Sequence, residues 1–431
     1  MENRKIGVAL LGLGTVGLGT YKVLKAQKDE MIHKIGTELE LRRILVRNKA
    51  KAAAKVDDPE LITDNIEDVL QDGDVQIVIE LIGGMEPART YIEAALRAGK
   101  HVVTANKDLI AADHGKLLDL AKQNHCDLMF EAAVAGAIPV ITPLKQSLAA
   151  NHLSEVMGIV NGTTNFILTK MAQEGMEFDE ALALATELGY AEADPTADVE
   201  GLDAGRKVAI MASIAFNSRV SFEDVTTEGI TGISANDIRY AKEMGCCIKL
   251  IGMAHSDGSS VEAYVAPMLI PQGHPLASVN DSYNAVFVRG DAVDNAMFLG
   301  RGAGELPTAS AVVGDVFEVA RNIRHGCCGR ISCTCYKNLP IVPMDEVCSR
   351  YFLRVEVEDR IGVLAEMTDV FARHRVSVEQ IIQKQKKGEF AEIVVITDKV
   401  REGDFKRAVK CIADKSGTRG IRSTIRVYTQ G

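Results

Sequence analysis

Four stretches of the chain carry residue types and spacings suited to chemistry. Gly12-Leu13-Gly14-Thr15-Val16-Gly17 has the GxGxxG spacing of a dinucleotide phosphate loop. The first glycine permits a tight turn, the second lets backbone approach a pyrophosphate, and the third lets a helix pack on its strand. Free N–H groups at the start of that helix then face the anion. A second stretch, Leu188–Asp198, sets Glu192, Asp194 and Asp198 around Pro195 and runs on to Asp203 and Lys207. On a helix, Asp203 and Lys207 fall four apart and share a face. An ammonium beside a carboxylate on a mostly apolar helix suits proton transfer. The acids upstream suit a cationic substrate such as an amino acid. The same spacing also describes a surface ion pair worth ~0.3–0.5 kcal/mol, which periodicity alone favours. Third, Lys107 follows a short apolar run that reads as a parallel strand, and ligands collect at the carboxyl ends of such strands. A solvated loop lysine is the alternative. Fourth, Glu131–Pro139 is an apolar loop with one acid. Its carboxylate and backbone carbonyls could hold a hard monovalent cation, or the loop could simply join two domains.

Two further features bear on the cofactor. The second strand ends in Val46-Arg47-Asn48-Lys49, with no acid for an adenine ribose. Arg47 and Lys49 could neutralise a 2′-phosphate, which favours NADP over NAD and leaves dual use open. A solvated surface pair is the alternative. A second glycine-rich loop, Gly300–Thr308, ends in a helix start. It could approach the cofactor from the other side, and an ordinary tight loop fits it equally.

Positioning these residues requires a scaffold, and the patterning supplies one. Ile6–Leu11, Leu39–Val46, Val75–Leu81, His101–Thr104 and Leu128–Phe130 read as buried strands. Thr15–Gln27, Pro87–Ala98 and Leu109–Gln123 read as the helices between them. Strands alternating with helices predict βαβ units and a parallel sheet. The middle is less regular, with helices at Thr163–Glu174, Glu180–Leu188 and Gly201–Phe216 and strands at Glu262–Leu269 and Ala285–Arg289. Thr308–Asn322 is again helical. Arg324–Pro343 lacks periodicity and reads as a linker. From Tyr351 to Tyr428 the pattern is βαββαβ, a ferredoxin-like unit. The expected division is a Rossmann dinucleotide-binding domain at 1–130, completed by 305–325, and an α/β catalytic and dimerisation domain at 131–304. A linker at 326–348 and a C-terminal domain at 349–431 follow.

The bulk properties exclude several classes. At 431 residues, with 47% apolar and 25% charged residues, the chain can build several cores. A net charge of −10 argues against nucleic-acid binding, which needs a basic face. No run reaches the ~20 apolar residues of a membrane helix, and no signal peptide is evident, so a cytoplasmic location is expected. Among nine cysteines, Cys327, Cys328, Cys333, Cys335 and Cys348 cluster. Their spacing is not that of a zinc ribbon, and reduced thiols are expected.

Seven ordered motifs together resemble the homoserine dehydrogenase family: GLGTVG at Gly12–Gly17, ELIGG at Glu80–Gly84, TANK at Thr104–Lys107, EAAVAGAIP at Glu131–Pro139, GIVNGTTN at Gly158–Asn165, LGYAEADP at Leu188–Pro195 and GLDAGRK at Gly201–Lys207. The resemblance implies reversible hydride transfer between L-homoserine and L-aspartate 4-semialdehyde with NADPH or NADH, in threonine, methionine and isoleucine biosynthesis. It implies Lys207 as proton donor, with Glu192 and Asp203, and Asp198 in the same segment, binding substrate. Thr15, Val16, Lys107, Gly189 and Gly304 fall at cofactor positions. Glu131 and the carbonyls of Val134, Gly136 and Ile138 match a sodium site. The C-terminal unit resembles an ACT domain, although Ile361 stands where a proline commonly precedes Gly362. That likeness implies L-threonine as effector, and the whole implies a homodimer or homotetramer. Removing residues from about 349 onward is then expected to spare catalysis and abolish any threonine response. Another amino-acid dehydrogenase and a non-catalytic sensor are the competing readings; the GLDAGRK and NGTTN segments argue against the first, and Lys207 and Asp203 against the second.

Overall fold

The computed structural model describes residues 5–331, 333–387 and 389–429. Residues 1–4, 332, 388 and 430–431 of the expected domains and linker lie outside the described residues. The chain divides into two compact units, one of residues 1–156, 206–224 and 284–339, the other of residues 157–205, 225–283 and 340–431.

The first unit contains a sheet of β1 (Ile6–Leu11), β2 (Leu39–Leu45), β3 (Ile62–Thr63), β4 (Val75–Glu80), β5 (His101–Thr104) and β6 (Leu128–Met129). Its order is β3-β2-β1-β4-β5-β6, and every neighbouring pair is parallel. This is the Rossmann arrangement, in which the order reverses beside β1 and opens a crevice at the strand ends. β1 is buried along its whole length because helices cover both faces, hence its continuous apolar run. β3 is the strand the patterning missed; two residues are too few to show a period. The helix Glu305–His325 sends Val312, Val313, Val316, Val319 and Ala320 into the same core as Ile6, Val8, Leu10, Ile77 and Ile79. It therefore completes this layer from far along the chain.

The remaining strands are β7 (Leu153–Ile159), β8 (Thr226–Thr227), β9 (Cys246–Ser256), β10 (Val261–Pro271), β11 (Tyr283–Gly290), β12 (Asp294–Arg301), β13 (Cys348–Glu358), β14 (Val378–Lys387), β15 (Phe390–Thr397), β16 (Val400–Arg401) and β17 (Thr418–Val427). In the second unit β9 and β10 pair antiparallel along their full length, from Val261↔Ser256 to Pro271↔Cys246. β9 escaped the sequence reading because it is buried on both faces and so does not alternate. The C-terminal part has the expected βαββαβ order with the two-residue β16 added before the second helix; its helices are Val363–Arg373 and Glu402–Ala413. Val363, Met367, Val370 and Phe371 form the helical stripe that packs on Tyr351, Leu353, Val355 and Val357 of β13. β13 pairs antiparallel with β15 and β17. β17 then joins β10 in parallel at Met268↔Arg426 and Leu269↔Val427. The C-terminal layer thus extends the sheet of β9 and β10 rather than standing apart.

The stretch expected to be a linker is pinned at intervals. Lys337 N–H donates to Asn217 O and Leu339 N–H to Ser218 Oγ, while Val342 N–H donates to Val261 O. Single bonds to different partners satisfy the backbone without creating a period. No helix among the described residues is long and apolar enough to cross a membrane.

Candidate functional site

The phosphate loop lies where β1 hands over to the helix Thr15–Ala26. Gly12 adopts φ +97, and a Cβ there would sit 2.7 Å from Leu81 O. A Cβ on Gly17 would sit 2.2 Å from Gly12 O, so helix and loop touch backbone to backbone. Gly14, by contrast, has nothing within 4 Å of where a Cβ would point. The helix start has no side-chain cap and no acid in its first turn. Open space above Gly14 and uncapped N–H groups beside it suit a pyrophosphate. Gly12 N–H donates to Leu45 O, tying the loop to the end of β2. Arg47, just beyond that end, is exposed. Lys49 pairs with Asp64 at 3.0 Å, so it is already engaged.

Lys107 is half-buried and opens the helix Lys107–Gln123 after β5. Its loop is locked from beneath. Thr104 Oγ1 donates to the fully buried Glu80 carboxylate at 2.6 Å, and Asn106 Nδ2 donates to Gly84 O at 2.7 Å. Gly304, at φ +125, caps the helix Glu305–His325. Glu305 O would lie 2.5 Å from a Cβ on Gly19, and Lys22 pairs with Glu305 at 2.6 Å. The second glycine-rich loop therefore runs beside the phosphate-loop helix.

Asp203 and Lys207 occupy the helix Leu202–Ala215, one turn apart, and are only 5% and 8% exposed. The surface ion-pair alternative does not hold. Asn161, which the sequence reading assigned no role, links the acids. Its Nδ2 donates to Asp198 Oδ1 at 2.6 Å and to Asp203 Oδ2 at 3.0 Å. Its Oδ1 caps the helix Gly162–Glu174 by accepting from Thr164 N–H at 2.9 Å. An asparagine before Gly-Thr-Thr was a legible cap signal; its second task depends on residues far along the chain. Glu192 is exposed, as is Gly189, which turns the chain at φ +77 after the helix Phe178–Glu187. Tyr190 O is held by Thr163 Oγ1 at 2.7 Å, and the Tyr190 ring rests 4.7 Å from that of Phe166.

Glu131 is buried in the loop toward Pro139. Its carboxylate accepts from the N–H groups of Val140, Ile141 and Thr142, the last two at 2.7 Å. Its own N–H donates to Asp315 at 2.8 Å. Burial, and then the neighbouring Glu131 charge, hold the Asp315 carboxyl well above the usual range. Among the described residues no backbone hydrogen bond ends on the carbonyls of Val134, Gly136 or Ile138. Carbonyls without a backbone donor, in the loop that also carries a buried carboxylate, would suit a hard cation.

Comparison with known proteins follows the same outline. Three family patterns match: "Homoserine dehydrogenase, NAD binding domain" over residues 12–131, "Homoserine dehydrogenase" over 139–317 and "ACT domain" over 351–417. A homoserine dehydrogenase of Bacillus subtilis is 44% identical over 431 residues, 99% of each chain. The crystal structure of a homoserine dehydrogenase from Thiobacillus denitrificans superposes with a TM-score of 0.93 at 41% identity, covering 98% of each chain. A hyperthermophilic archaeal homoserine dehydrogenase in complex with NADPH matches 73% of this chain and 97% of its own, with a TM-score of 0.63 at 26% identity.

Proposed function

The chain belongs to the homoserine dehydrogenase family, and from that premise we infer what its residues do in the reversible interconversion of L-homoserine and L-aspartate 4-semialdehyde. The observation that carries the assignment is the helix Leu202–Ala215, which buries an acid and a lysine one turn apart. In aldehyde reduction negative charge grows on the carbonyl oxygen. The Lys207 ammonium stabilises that charge and supplies the proton; in homoserine oxidation it takes the proton back. Asp203 and Asp198 hold the substrate ammonium, with Glu192 as a third carboxylate. Asn161 sets the first two in register.

When bound, the nicotinamide dinucleotide supplies or accepts the hydride. Gly12, Leu13, Gly14, Thr15, Val16 and Gly17 would cradle its pyrophosphate. Lys107, Gly189 and Gly304 would contact the rest. Arg47 would meet a 2′-phosphate, which favours NADP while leaving NAD usable. Glu131 with the carbonyls of Val134, Gly136 and Ile138 would hold sodium. L-Threonine is the proposed effector of the ACT layer, and a homodimer or homotetramer the proposed assembly. A cytoplasmic location, with reduced thiols, is the proposed one.

The test is reduction of NADP⁺ and NAD⁺ by L-homoserine, followed spectrophotometrically, with sodium or potassium and with or without L-threonine. Homoserine-dependent reduction, faster with NADP⁺ and slowed by threonine, is the expected result. No reduction with either cofactor from folded protein would overturn the assignment.

A further inference from the structure

The cysteines that the dehydrogenase chemistry leaves unused are not equivalent. Burial pushes the thiols of Cys126, Cys246, Cys247 and Cys328 up, which makes them inert. Cys333 and Cys335, separated by Thr334, sit in a different setting built from three other segments of the same unit. Cys335 Sγ lies 3.4 Å from Ser213 O and 3.8 Å from His114 Nε2. His114 Nδ1 lies 3.1 Å from Ile110 O, which can only accept, so that nitrogen carries the ring proton. Nε2 is therefore the acceptor facing the Cys335 thiol. Burial holds His114 below its ordinary pKa, which keeps the ring neutral.

Cys333 Sγ is within hydrogen-bond reach of the Cys335 thiol and of the Cys335 backbone N–H, and the Lys145 and Arg219 cations act on it. The hydrogen bond from Cys335 leads these effects, and together they hold Cys333 well below the ordinary thiol range. The same hydrogen bond, followed by burial, pushes Cys335 up. Cys333 thus takes the greater thiolate character, and Cys335 keeps its proton beside a neutral imidazole. That is the division between an attacking and a resolving cysteine.

We propose that Cys333-Thr334-Cys335 is a redox-modification site, at which a low-molecular-weight disulfide oxidises the two thiols to an intrachain Cys333–Cys335 bridge. The Cys333 thiolate attacks one sulfur of the small disulfide, forms a mixed disulfide and expels one small thiolate. The small thiolate just expelled takes the Cys335 proton, while His114 Nε2 at 3.8 Å faces that sulfur. The Cys335 sulfur then attacks Cys333 Sγ and expels the second small thiolate. The two protein sulfurs lose two electrons, which the small disulfide gains. Consecutive Cα atoms are about 3.8 Å apart, so these two lie no more than about 7 Å apart, at the upper edge of what a disulfide spans. Strained bridges of this kind are readily reduced, so the change is reversible. It also removes the thiol facing Ser213 O, on the helix that carries Lys207.

The test exposes the full-length chain to oxidised glutathione at rising ratio to reduced glutathione, then alkylates free thiols and maps them by mass spectrometry. The expected result is a peptide holding Cys333 and Cys335, two hydrogens lighter and unalkylated, before the exposed Cys348 and Cys411 are fully glutathionylated. Dithiothreitol restores it. In Cys335→Ser the reaction stops at glutathione on Cys333. Cys333 and Cys335 still alkylatable once Cys348 and Cys411 carry glutathione would overturn the proposal. So would a bridge from Cys333 to Cys327 or Cys328.

Discussion

Two carboxylates brought close together repel unless a donor stands between them, and Asn161 gives one amide donor to both Asp198 and Asp203. Asn161→Ala removes that donor and the helix cap together. We expect the KM for homoserine to rise roughly tenfold, about 1.4 kcal/mol, with the KM for cofactor unchanged. Loss of the cap should lower stability by about 1 kcal/mol, read by urea denaturation. Lys207→Ala tests chemistry instead. Turnover should fall by roughly 10²–10⁴-fold while cofactor titration stays normal. Near-normal turnover would remove Lys207 from the reaction. The types and spacing of Asp203 and Lys207 were legible in the sequence because one helical turn relates them. The part played by Asn161 was not, because its partners lie 37 and 42 residues away. The role proposed for Cys333 was hidden for the same reason: the charges that act on it come from Lys145 and Arg219, far along the chain.

At the scale of elements, the phosphate loop separates two uses of glycine. Gly17→Ala would force a Cβ to within 2.2 Å of Gly12 O. The helix must shift, at a cost of about 1–3 kcal/mol, and the melting temperature should fall. Gly14→Ala meets nothing within 4 Å and keeps an ordinary φ of −74. Its melting temperature should match that of the parent while NADPH affinity drops, because the methyl occupies the phosphate's space. Unchanged NADPH affinity in Gly14→Ala would remove the loop from cofactor binding. The Rossmann strands and both ACT helices were readable because local periodicity reports which face is buried. β9 has no exposed face to report, and β3 has no length.

At the scale of the whole molecule, Lys249 shows how burial couples folding to pH. Its ammonium is buried and donates to Val279 O at 2.6 Å and to Asn165 and Asn280 at 3.1 Å. Burial lowers its pKa to about 8. An unfolded lysine titrates near 10.4. Between those values the unfolded chain binds more protons, so this group's contribution to stability rises with pH and is lost as pH falls through about 8. The slope is at most about 1.4 kcal/mol per pH unit. Urea denaturation from pH 7.5 to 9.5 should show a rise in wild type that Lys249→Met lacks. Parallel profiles would mean that the pKa is not lowered. Removal of residues from 349 onward now carries a different expectation from the one the ACT resemblance implied. It strips β17 from β10 and bares backbone at Met268 and Leu269. The shortened chain should lose soluble yield and homoserine-dependent NADPH formation together; full activity would show that the ladder is dispensable.

That short parallel ladder has a genetic corollary. A premature stop codon that removes β17 should then behave as a null allele rather than a deregulated one. Mutants selected for overproduction should therefore carry missense changes in the ACT layer, and frameshifts there should surface as auxotrophs.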